Sequence, residues 1–86
     1  MRARVRGKKI AVNVHSRREM YKDDLLLADV KNCILNGAIV ERQWDEDFLG
    51  YKYVIEGPTT ERGEYMHTVA KLGSEHTVVI TVYRVL

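Results

Sequence analysis

The order of signals along this sequence predicts an α+β domain, with two N-terminal helices packed on an antiparallel β-meander of about four strands. Three observations carry the prediction. Helical signals are confined to residues 17–36, strand signals fill residues 38–85, and turn residues separate each strand from the next. Helices gathered ahead of a run of strands point to a sheet that carries its helices on one face and leaves the other partly open. A chain of 86 residues has surface for one core, so a single domain over 1–86 is expected.

Composition agrees. With 45% hydrophobic and 30% charged residues, the chain reads as folded and not disordered. No apolar run approaches the roughly 18 residues of a membrane span. The basic start MRARVRGKK has no apolar stretch behind it that would make a secretory signal. One cysteine, Cys33, rules out an internal disulfide or a cysteine zinc cluster and fits a reducing, cytoplasmic setting. Arg2, Arg4, Arg6, Lys8 and Lys9 supply five of the 14 positive charges, and residues 1–9 hold no acid. The other 77 residues carry nine positive against 12 negative charges, a net of −3. Residues 1–8 therefore read as a flexible basic arm that could contact phosphates or an acidic partner. The body itself has no charge excess for nucleic acid.

Taken in order, Lys9–Val14 alternates Ile10, Val12 and Val14 with Lys9, Ala11 and Asn13, as a short strand would. Ser16 and Glu19 have capping-box spacing and predict a helix over about 17–22. Asp23 or Asp24 would cap a second helix over about 25–36, whose stripe Leu26, Val30 and Cys33, flanked by Leu27 and Ile34, reads as core. Gly37 would end it in the left-handed conformation. Strands are expected at Ala38–Gln43, Leu49–Glu56, Tyr65–Leu72 and His76–Val85. Trp44–Asp47 and Gly57–Thr60 with Gly63 would be loops, and Gly73-Ser74 a tight hairpin. Tyr51, Tyr53 and Tyr65, β-formers at alternating positions, read as wall and core.

Several short motifs recur in a recognisable order: His15-Ser16-x-x-x-Met20, Asn36-Gly37-Ala38-Ile39-Val40-Glu41, His67-Thr68-Val69 and Thr81-Val82-Tyr83-Arg84. Together they resemble a family of small bacterial proteins that read H-A-x-x-R-M, N-G-x-I-I-E, H-V-V and I-T-V-Y-R over about residues 12–86. The resemblance implies a compact fold similar to the RelE-like and MqsR-like toxins. It also implies ribonuclease activity on mRNA and a cognate antitoxin as partner. The chain departs from the pattern at Glu19, where the family has arginine, with Arg18 one place earlier. It departs again at Asp23-Asp24, where an arginine-glycine pair is expected.

Metal-independent RNA cleavage needs a base for the ribose 2′-hydroxyl, an acid for the leaving oxygen, and cations for the charge that develops on phosphorus. His15 and His67 suit the first two roles, because imidazole titrates near neutrality. Tyr83 could stack a base or donate a proton, and Arg18, Lys71, Thr81 and Arg84 could hold the substrate. Each has a plainer reading: His15 as a residue beside a helix cap, His67 and Tyr83 as strand packing, Lys71 and Arg84 as solvated strand ends. His76, beside the turn, reads as surface. No cofactor is indicated, and no histidine spacing or calcium-loop pattern supports a metal site. Cys33, on the buried stripe, is not expected to act as a nucleophile.

Register decides whether His67 can act. A two-residue turn at Gly73-Ser74 would set His67 opposite Ile80, on the apolar face of Val78, Ile80 and Val82. A three-residue turn would set it opposite Thr81, on the polar face with Tyr83. For an active ribonuclease the second register is expected. A non-catalytic module that binds a protein partner on the open sheet face is the alternative function.

Overall fold

The computed structural model describes residues 9–47, 49–73 and 76–85. The basic arm, residues 1–8, lies outside them. The elements are β1 (Lys9–Val12), α1 (Val14–Lys22), α2 (Leu27–Asn36), β2 (Ala38–Asp45), β3 (Gly50–Pro58), β4 (Tyr65–Leu72) and β5 (His76–Val85). They form one five-stranded sheet in the order β1-β5-β4-β3-β2. The helices-then-strands pattern thus gives the α+β class, with one correction. The sheet is mixed and five-stranded, because β1 lies parallel to β5 at one edge, with Ile10 beside Thr77 and Val12 beside Val79, and the two helices carry the chain from β1 to β2 at the other edge. The remaining pairs are antiparallel.

Both helices cover one face, α1 over β5 and α2 over β3 and β4. The core beneath them joins Leu25, Val30, Cys33 and Ile34 to Ile55, Met66, Ala70, Val79 and Val82, with Ile10, Val12 and Met20 packed against it. Each large aliphatic side chain so removed from water contributes about 1.5–3 kcal/mol. Ser16, fully buried, donates its hydroxyl to the Val79 carbonyl at 2.7 Å and so ties α1 to β5. It is therefore not the expected helix cap. Asn13 takes that role, its Oδ1 accepting from the Ser16 amide at 2.8 Å, and the helix starts three residues earlier than the capping-box spacing implied.

The second helix, in contrast, starts later than expected, at Leu27. Its first turn is held by Asp29, whose carboxylate accepts from the Leu26 amide at 2.8 Å. Leu26, expected in the stripe, is 66% exposed, and Leu25 is the buried residue at 4%. At the far end Gly37 is extended, with φ −93° and ψ −174°, and not left-handed. Its requirement is space. A Cβ there would strike the Cys33 and Glu56 carbonyl oxygens, and Gly37 and Gly57 pack so closely that a Cβ on either lies 2.9 Å from the other's Cα. The paired glycines let the end of α2 rest directly on the β3 backbone.

Asp29 and Asn32 of α2 also grip the β3–β4 loop. Asp29 accepts from the Thr60 amide at 2.8 Å and from its hydroxyl at 2.6 Å, while Asn32 donates to the Pro58 and Thr59 carbonyls at 3.2 and 2.9 Å. Burial pushes the Asp29 carboxyl up. The Thr60 hydroxyl, the Leu26 and Thr60 amides and the Arg84 guanidinium more than reverse this, leaving its pKa below the ordinary 3.8. Arg84, expected as a substrate cation, belongs to this scaffold. Its Nε donates to the Asp23 carbonyl at 2.8 Å and its Nη2 to the Asp24 carbonyl at 3.2 Å. Those carbonyls close the C-terminal end of α1, where Asp24 takes a left-handed φ of 53°.

Two bulges shape the sheet. One is Val40, skipped between the pairs Ile39–Ile55 and Glu41–Val54. The other is Ile80, skipped between Ala70–Val79 and Val69–Thr81. An extra residue reverses which side chains face inward beyond it. The buried residues of β5 are accordingly Thr77, Val79 and Val82, in place of the expected Val78, Ile80 and Val82. The β2 and β3 strands run further than expected, through Trp44-Asp45 and Gly57-Pro58 respectively, whereas β4 and β5 have the expected bounds.

Candidate functional site

Along β4, Met66, Thr68 and Ala70 turn inward to the helices and are fully buried. Strand alternation sends Tyr65, His67, Val69 and Lys71 to the uncovered face. The register there follows neither expected alternative, since His67 stands directly opposite Tyr83 on one side and Glu56 on the other. The face is the one the three-residue turn would have selected, so His67 is not packed beneath α2 against Ile80.

Glu56, His67 and Tyr83 form a row across three strands. His67 Nε2 is 2.9 Å from Glu56 Oε2, and Nδ1 is 3.0 Å from the Tyr83 hydroxyl. The His67 and Tyr83 rings meet edge to face, with centroids 5.1 Å apart. A carboxylate only accepts, so Nε2 carries a proton toward Glu56, and in the neutral ring Nδ1 accepts from the phenol O–H. Carboxylate, imidazole and hydroxyl in this order are an arrangement in which an acid can orient the ring and a proton can pass between ring and hydroxyl. The same row also stabilises the sheet as cross-strand pairs, each worth roughly 0.2–1 kcal/mol.

Around the row the open face carries Tyr65, half exposed, and the pair Val69–Thr81. Tyr65 is thus not core. Lys71 shares this face and lies 3.7 Å from Asp45, an ion pair that reaches from β4 to β2 over the intervening β3. Of the residues expected to act, His67, Tyr83, Thr81 and Lys71 share one face. His15 and Arg18 are exposed on α1, on the helix-bearing side, and Arg84 is engaged by the α1–α2 connection. The sheet lies between His15 and His67, so the two histidines do not form a base–acid pair. Glu56 went unrecognised in the sequence. Its alternation with buried Ile55 and Gly57 was the available signal, but nothing local joins it to His67. Cys33 is fully buried, and burial raises its thiol pKa, as expected of an inert core cysteine. Among the described residues, no three His, Cys, Asp or Glu side chains converge to hold a metal ion, and no helix is long and apolar enough to cross a membrane.

No curated protein and no solved structure matches the chain. A family profile described as a domain of unknown function, DUF4258, matches residues 12–84. That range runs from the end of β1 to the next-to-last residue of β5, taking in both helices and the whole Glu56–His67–Tyr83 row. The chain belongs to the DUF4258 family.

Proposed function

We propose that this protein is a small metal-independent endoribonuclease of the RelE-like toxin class, acting on mRNA in the cytoplasm and held in check by a cognate antitoxin. The observation that carries the proposal is the engagement of both His67 ring nitrogens, one by the Glu56 carboxylate and one by the Tyr83 hydroxyl. In this reading Tyr83 meets the substrate and exchanges a proton with it, His67 serves as proton reservoir, and Glu56 holds the tautomer. Tyr65, exposed on the same face, offers a ring on which an unpaired base can stack. Purified protein should cleave single-stranded RNA to fragments ending in a 2′,3′-cyclic phosphate. His67→Ala should abolish cleavage and relieve growth arrest on expression, with the melting temperature within a few degrees of wild type. RNA left intact by wild-type protein, or cut equally by the variant, would refute the proposal.

One observation favours a second reading, a non-catalytic module that binds a protein on the open face. On β3 and β4 the cations of that face are Lys52 and Lys71, and Lys71 is paired with Asp45. Phosphoryl chemistry without more positive charge would be slow. The same cleavage assay separates the two readings.

A further inference from the structure

Among the described residues the sheet ends at β2, which bonds on one side to β3 and on its other backbone edge to no described strand. All of Ala38–Trp44 is exposed. Natural proteins shield such an edge or use it to add a partner strand. The two faces of this edge differ. Register places Glu41 and Asp45 on the open side of the sheet, and Ile39, Arg42 and Trp44 on the other. On that second side Trp44 meets Tyr51 edge to face at 5.2 Å, and the Arg42 guanidinium lies 4.2 Å over the Tyr51 ring. Residues 41–47 hold four acids, Glu41, Asp45, Glu46 and Asp47, against Arg42.

A matching strand must therefore be basic on one face and small and apolar on the other. Pairing with the β2 of a second copy does not meet this. Antiparallel self-pairing centred here sets Glu41 against Glu41, or Arg42 against Arg42, and like charges directly opposite are destabilising. Residues 1–8 do meet it, since Arg2, Arg4 and Arg6 alternate with Ala3 and Val5 and no acid interrupts them. Their own β2 is out of useful reach. The segment leads into β1, at the opposite edge, four strand spacings or about 19 Å away. Eight extended residues span at most about 28 Å, so crossing would leave two or three residues to pair.

We infer that β2 is the docking edge for the basic segment 1–8 of a second copy of this chain, which adds to it as an outer strand. The contact is head-to-tail: one copy supplies the segment and the next supplies the edge, so association continues into rings or longer assemblies. This inference is independent of the ribonuclease reading.

Sedimentation of the full chain from micromolar to millimolar concentration tests it. Wild-type protein should associate with rising concentration and dissociate as salt is raised from about 0.01 to about 1 M. Arg4→Glu and Glu41→Lys should each weaken association at least about tenfold. Mixed together, the two variants should associate again, because the Glu41→Lys copy carries an intact segment for the intact edge of the Arg4→Glu copy, and the two reversed charges are complementary to each other. Glu46→Lys provides a second edge variant should Glu41→Lys fail to fold by circular dichroism. Wild-type protein that stays monomeric, or variants that remain monomeric when mixed, would overturn the inference. A monomer in which Arg4→Glu lowers affinity for single-stranded RNA would assign the segment to nucleic acid instead, and would overturn it equally.

Discussion

Replacing Tyr83 with phenylalanine removes one oxygen and little else. That oxygen stands 3.0 Å from His67 Nδ1, while the edge-to-face contact of the two rings depends only on the carbons that phenylalanine keeps. Tyr83 is 41% exposed, so water can take over the freed His67 nitrogen. The stability cost should therefore sit at the low end of the roughly 0.5–1.5 kcal/mol net value of a hydrogen bond. In a domain of this size about 1 kcal/mol moves the melting temperature by roughly 4–8 °C, so a loss of no more than about 5 °C is expected. If the phenol exchanges a proton with RNA, the same oxygen is worth roughly 10²- to 10⁴-fold in rate. Thermal melting followed by circular dichroism and single-turnover cleavage of a labelled RNA, run on one preparation, read both quantities. Glu56→Gln, which keeps an acceptor but loses the charge that stabilises the imidazolium, should fall between wild type and Tyr83→Phe. Tyr83→Phe protein that cuts RNA at the wild-type rate would exclude the phenol from the chemistry and leave the row as a cross-strand ladder.

Three further outcomes concern the scaffold. Leu25→Ala should cost about 2–5 kcal/mol in urea unfolding, because Leu25 is 4% exposed, whereas Leu26→Ala, one residue on and 66% exposed, should stay within about 0.5 kcal/mol. Gly57→Ala should destabilise by roughly 1–3 kcal/mol, since its Cβ would meet backbone of Cys33 and Gly37 that no rotamer change can move; an unchanged midpoint would show that α2 can slide off β3 freely. Asp29 ionises more readily in the folded than in the unfolded chain, so its contribution is present above about pH 4 and is lost as pH falls below 3.8 toward the lower folded value. Asp29→Asn should lower stability at neutral pH and flatten this acid limb, seen as a smaller difference between unfolding midpoints at pH 5 and pH 3 (both about the ordinary carboxylate range).

Features that depend on neighbours a few residues away are legible in the order of the amino acids. Alternation marked β4 and β5 to their ends, helical spacing placed Val30, Cys33 and Ile34 in the core, and the succession of helices and strands set the α+β class. The remaining features depend on contacts between distant parts of the chain. Lys9–Val12 could be read as a strand, but its place beside β5 at the edge of a mixed sheet rests on pairing with the last strand of the chain. The charge of Arg84 was plain in the sequence, and only the approach of the α1 end shows that two carbonyls occupy it. Gly37 looked like a left-handed cap, and proved to be a point of close passage between a helix and a strand. The candidate site depends most on this. Glu56, His67 and Tyr83 lie on three different strands, and their meeting requires two hairpin registers and the single extra residue Ile80. Side-chain direction in a strand has a period of two, so one inserted residue turns every later side chain to the other face. Local alternation says which residues share a face within a strand, and only pairing between strands says which face that is.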